Sequence, residues 1–154
     1  MCRTCGCRRS QSNCGADVAR QAVIDAVKAR LGDVFNGCPV LDQDTTAQGA
    51  ADGSMYLVLQ FPVANERQIT IGAPGANLWR EEGAFRLVLS VRTGDPLAPA
   101  TTLIDQARAI FRGKQFAGVT TFAPSPAVQG DPQFVGGTRV ELSSAVPYQS
   151  DFFA

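Results

Sequence analysis

Histidine is absent from the 154-residue chain. That absence removes Ser-His-Asp and Cys-His nucleophile chemistry, His-containing zinc sites and the usual general base near neutral pH, leaving carboxylates, thiols and lysine for any catalysis. Lysine itself occurs only at Lys28 and Lys114. Net charge is missing too, because 14 Lys plus Arg are matched by 14 Asp plus Glu. With a pI near 6.2, the chain lacks the electrostatic footprint of a general nucleic-acid binder or a polybasic membrane-surface protein. Long apolar runs are equally scarce. Met55 to Leu59 is among the longest, far short of the ~20 residues a spanning helix needs. No apolar segment of signal-peptide type follows Arg3, Arg8 and Arg9. The expectation is a soluble chain made in a reducing cytoplasm, without stable disulfides.

What is present divides unevenly. Four of the five cysteines, Cys2, Cys5, Cys7 and Cys14, crowd the start of the chain, and Cys38 stands alone. Four thiolates suffice to surround zinc or hold an iron-sulfur cluster. Their Cys-x2-Cys-x-Cys-x6-Cys spacing is poor for that purpose, since only the first pair has the form of a structural zinc ligand pair. Residues 1–15 therefore read as a cysteine-rich, flexible extension, with no cofactor expected. Residues 16–154 are the right length for one domain with one core, burying roughly 70% of the unfolded surface.

Periodicity supplies the elements. Val18, Ala22, Val23, Ala26, Val27 and Leu31 recur at helical spacing from Ala16 to Leu31, with Gly32 as a stop. Asp33 to Ser54 reads as a connection with a short strand around Cys38 to Leu41. Its Asp42 and Asp44 lack the further ligands of a calcium loop. Met55, Leu57, Leu59 and Phe61 alternate along a strand ended by Pro62, and Phe85, Leu87, Leu89 and Val91 repeat the pattern over Ala84 to Arg92. Matching length and matching apolar faces make these two strands antiparallel neighbours. Between them, Val63 to Gly83 carries its own hairpin signature: Gln68 to Ile71, a turn at Gly72-Ala73-Pro74-Gly75, then Asn77 to Arg80. This predicts a protruding arm, with Trp79 either at an interface or capping the core. A second helix runs from Ala98–Ala100 to Arg112, with Gly113 beyond its end. Gln115 to Phe122 reads as a strand, Ala123 to Gly137 as a long loop, and a last strand starts near Thr138. Phe152 and Phe153 close the sequence, either docked on a neighbour or folded over the chain's own core. The fold class is α+β: two helices packed on a mainly antiparallel or mixed sheet of four to five strands.

The stretch Ile69-Thr70-Ile71-Gly72-Ala73-Pro74-Gly75, then Glu82-Gly83-Ala84-Phe85-Arg86-Leu87-Val88-Leu89-Ser90-Val91 and Asp105-Gln106-Ala107-Arg108-Ala109-Ile110-Phe111, resembles the tail-terminator-like family of tailed bacteriophages and gene transfer agents. Arg139-Val140-Glu141-Leu142 and the aromatic end fit the same pattern, so the resemblance spans Asp17 to Phe153. It implies a structural virion protein that forms a homohexameric ring at the head-proximal end of the tail tube, stops tube polymerisation and meets the head connector or stopper. The implied partners are further copies of itself, the major tail tube protein and that connector, with DNA passing through without sequence-specific binding. Ile69, Ile71, Pro74, Gly75, Trp79, Arg80, Phe152 and Phe153 are the candidate partner-binding residues. Another neck or head-completion ring is the nearest alternative, and a Cys-based metal module the alternative from a different class. No catalytic residues are expected. Glu81 and Glu82 are adjacent in a strand, so they point to opposite faces and cannot act as a pair.

Overall fold

A computed structural model describes residues 19–41, 53–130 and 138–154. The cysteine cluster, Asp42, Asp44 and most of the second half of the Ala123–Gly137 loop lie outside the described residues. Helix α1 spans Gln21–Val34 and α2 spans Leu97–Phe111. The strands are β1 (Val40–Leu41), β2 (Tyr56–Gln68), β3 (Leu78–Arg92), β4 (Gln115–Phe116), β5 (Val119–Thr121), β6 (Val128–Gln129) and β7 (Arg139–Phe153). They form one sheet in the order β1-β2-β3-β7-β5-β4, with β6 also on β7. The β1–β2 pair is parallel and the others are antiparallel.

Both helices lie on one face of this sheet because their apolar stripes match its inner rows. Val23, Val27 and Leu31 of α1, and Ala100, Ile104, Ala107 and Phe111 of α2, are buried against Leu57, Leu59, Phe85, Leu87 and Leu89. Phe85 sits at the centre, edge-on to Phe111 at 5.0 Å between ring centroids and 5.8 Å from Phe61. The inward residues expected for β3, namely Phe85, Leu87, Leu89 and Val91, are all fully buried.

The sheet is larger than the four to five strands expected, and it departs from expectation at three places. Pro62 does not end β2. The register passes from Gln60↔Arg86 to Val63↔Ala84, so Phe61 and Pro62 together oppose Phe85. This bulge accommodates a residue without an N–H. Gln115–Phe122 is not one strand but the tight β4–β5 hairpin, in which Ala117 and Gly118 both take positive φ, +44° and +78°. Alanine is an unusual residue for the first of those positions. Within the long loop, β6 pairs Val128 and Gln129 with Ser143 and Leu142. Helix α1 also differs, running through Gly32 to Val34. A helical glycine costs only about 1 kcal/mol relative to alanine. The helix ends instead where Phe35, bonded through its N–H to Leu31 O at 2.8 Å, turns into the core.

Candidate functional site

Strands β2 and β3 pair as far as Gln68↔Trp79, and β7 accompanies β3 without a register break from Arg139↔Arg92 to Phe153↔Leu78. The segment expected as a separate arm is thus continuous with the sheet, and its end is three strands wide. All eight candidate partner-binding residues fall at this end. Ile69 donates its N–H to Leu78 O at 2.8 Å, so Ile69, Leu78 and Phe153 stand side by side on the outer face. Gln68, Trp79 and Phe152 form the corresponding inner row. Ile71 is fully exposed in the connecting loop, beside exposed Pro74 and Gly75, and Phe153 is 76% exposed. Gly75 has φ +82°, a turn conformation that glycine adopts at no steric cost.

Side chains as well as backbone hold the loop. Asn77, buried, accepts from Gly72 N at 2.6 Å and donates to Ala73 O at 3.2 Å. Its backbone exchanges two bonds with Ala154, at 3.1 and 3.0 Å. Thr70 Oγ1 accepts from Leu78 N at 2.8 Å. One row inward on the outer face, Arg80 donates to both Asp151 oxygens at 2.7 and 2.8 Å. With its carboxamide oxygen turned toward Arg80, Gln149 accepts two further bonds at 3.2 Å. The Arg80 hydrogen bonds hold the Asp151 carboxyl below its ordinary range and raise the guanidinium. Exposure to solvent keeps such a pair weak.

Beneath the inner row lies a contact that the sequence did not disclose. Glu81 is wholly buried, while its neighbour Glu82 is exposed and bonds Arg67 at 3.1 Å, so the two carboxylates do occupy opposite faces. Tyr148 donates its hydroxyl to Glu81 Oε1, and the backbone N–H of Arg20, immediately before α1, donates to the same carboxylate at 3.2 Å. Burial, and then the hydrogen bond to Glu81, push the Tyr148 hydroxyl well above its usual range. The Arg20 guanidinium lies 3.5 Å above the Phe152 ring, an attractive cation–π arrangement. The first turn of α1 is therefore fastened to the inner row at two points. Gly83 makes this possible: a Cβ there would lie 2.5 Å from Val63 O and 2.9 Å from the Tyr148 hydroxyl.

At the other end of β7, Arg139 donates to Ser90 Oγ at 2.7 Å and Ser54 O at 2.7 Å and lies 4.7 Å over the Tyr56 ring. This contact ties β7 to the start of β2. Burial pushes the Cys38 thiol up to about 11, away from nucleophilic chemistry at neutral pH. Among the described residues no cluster of three Cys, Asp or Glu side chains is arranged to hold a metal ion, and no helix is long and apolar enough to cross a membrane. What the arrangement offers is one end of the sheet with Ile69, Leu78 and Phe153 on one side and Trp79 and Phe152 on the other. Strands that are apolar on both faces ordinarily have a layer packed on each.

A family model described as "Phage tail terminator protein" matches residues 22–148. A solved structure is similar over 88% of this chain and 98% of that chain, at 20% sequence identity and a TM-score of 0.54, a likeness that bears on the fold alone. No curated protein matches.

Proposed function

Because the chain belongs to the phage tail terminator family, a structural component of the virion tail, we propose that it closes the tail tube as a homohexameric ring at the head-proximal end, in a tailed bacteriophage or gene transfer agent. In this reading the ring halts polymerisation of the major tail tube protein and offers its other side to the head connector or stopper. The observation that carries it is the three-stranded end of the sheet, where Ile69, Leu78 and Phe153 on one face back onto Trp79 and Phe152 on the other. An isolated exposed apolar residue needs no explanation, but a row of them at one end of the sheet favours contact with another protein. Stable association buries on the order of 1,600 Å² per interface, so a 16.3 kDa subunit with two neighbours commits much of its surface. Zero net charge suits a wall past which DNA slides without being held.

Imaging of particles produced without this protein tests the proposal. Overlong tails lacking heads are the expected result. Tails of normal length joined to heads exclude termination.

A further inference from the structure

The sheet end that carries Ile69, Leu78 and Phe153 also has an open edge. Among the described residues β1 pairs with β2 only at Leu57 and Val58, so beyond the Phe61–Pro62 bulge no described strand lies on the far side of β2 from β3. The direction of each backbone group there follows from one bond. Ile69 donates its N–H to Leu78 O, and in an antiparallel ladder alternate residues bond the same neighbour. Val63, Asn65 and Arg67 therefore turn their N–H and C=O groups toward β3, and Ala64, Glu66 and Gln68 turn theirs away from it. These three residues line an edge of about 17 Å. Proline, bulges and charge are the usual means of blunting such an edge. Pro62 and its bulge stop short of this stretch, and Arg67 is engaged by Glu82. Exposed Glu66 forms no ion pair among the described residues.

We propose that this edge receives an extended segment of a different tail protein, which adds a strand to β2. Backbone groups at strand spacing are satisfied by another strand, and the flanking side chains set which one. On the outer face the added strand meets Val63 and Ile69, 45% and 39% exposed, which calls for apolar residues. On the inner face it meets Glu66, which calls for a cation. Occupants from this chain fit poorly. Running from Leu41, level with Val58, out to Glu66 and back to Gly53 needs about 60 Å of chain, and the twelve peptide units between Leu41 and Gly53 span only ~42 Å. A second copy pairing β2 with β2 through all three edge residues is centred on Glu66 and sets two like charges directly opposite. The end of β7 beyond Ser150, where β5 stops, offers Asp151 and no cation. The assignment rests on the chain being a tail component and does not require the ring.

Hydrogen exchange, read residue by residue by electron-transfer mass spectrometry in the free chain and in assembled tails, tests it. In the free chain the amides of Asn65 and Arg67 should exchange slowly and those of Ala64, Glu66 and Gln68 fast. In tails the latter three should slow by about tenfold or more. Glu66→Pro removes the central edge N–H without touching the β3 ladder. It should lower incorporation into tails by about tenfold while the Asn65 and Arg67 amides stay slow. A photoreactive benzoylphenylalanine at exposed position 65 should cross-link to a different tail protein. Edge amides that exchange as fast in tails as in the free chain overturn the assignment, and so do edge amides already slow in the free chain. Cross-links solely to another copy or to residues 1–18 overturn it as well. Tails of normal length alongside any of these results leave the termination reading standing.

Discussion

Tyr148 and Glu81 are 67 positions apart and meet in a 2.6 Å hydrogen bond at a point where the carboxylate is wholly buried. The two donors described for Glu81 are a phenol and the backbone N–H of Arg20. A buried carboxylate satisfied by neutral donors depends heavily on each of them.

Replacing Tyr148 with Phe keeps the ring among Phe85 and its neighbours but removes one of those donors. A loss of ~1.5–3 kcal/mol is expected, the range for a hydrogen bond to a charged group, read as a lower urea midpoint at unchanged m-value. A variant as stable as the parent would mean that Glu81 finds solvent or another donor.

Gly83→Ala introduces a methyl group into the space between Val63 O and the Tyr148 hydroxyl, distances of 2.5 and 2.9 Å. Both neighbours are fixed, one by the β2–β3 ladder and one by Glu81. Destabilisation of ~1–3 kcal/mol follows from overpacking. Combining it with Tyr148→Phe should be less than additive, since the two changes act on the same contact.

Ile71→Asp should separate folding from assembly. At a fully exposed position thermal stability should change by no more than ~0.5 kcal/mol. A charge at the apolar end opposes its burial, so tails carrying the variant should lose length control as tails without the protein do. Normal tail lengths with this variant would exclude a contact at position 71.

Cys38 supplies a pH signature. Its thiol titrates near 11 in the folded chain against an ordinary 9.0, because of burial. Below 9.0 both folded and unfolded thiols stay protonated and no stability is lost. As pH rises from 9.0 toward 11 the unfolded chain releases a proton that the folded chain keeps, so stability falls across that window. Alkylation mapped to Cys38 at pH 8 should be slow in the native protein and fast in denaturant, and Cys38→Ser should flatten the alkaline decline.

Much of the fold was legible where one face alternates with another. Phe85 to Val91, Leu57 and Leu59 declare their burial by period, and Pro96 with Gly113 brackets α2 by its ends. The misreadings share a cause: residues that punctuate secondary structure in isolation were overruled by tertiary pairing. A proline breaks a ladder, so Pro62 signals a strand end in sequence, yet a bulge absorbs it. Ala117 and Gly118 hid a hairpin because alanine seldom takes positive φ. The candidate site was legible as composition, from exposed Ile71 and the paired phenylalanines. Its assembly into rows depended on the β3–β7 register, which spans residues 78 to 153 and leaves no local trace. For the same reason the opposite faces of Glu81 and Glu82 were legible, but not that Tyr148 is the partner of Glu81.

The bulge at Phe61–Pro62 sets the phase of everything beyond it. Before it the odd-numbered residues Leu57 and Leu59 face the helices, and after it the even-numbered Ala64 does. Pairing Pro62 regularly with Ala84 instead would reverse the outer half of β2, turning Glu66 outward and Ile69 inward. Deleting Pro62 has the opposite effect: the bulge disappears while the pairings from Val63↔Ala84 onward, and the faces they set, stay as they are. The extra residue thus joins two halves of a strand whose apolar rows differ in phase, so that Leu59 and Ala64 meet the same core.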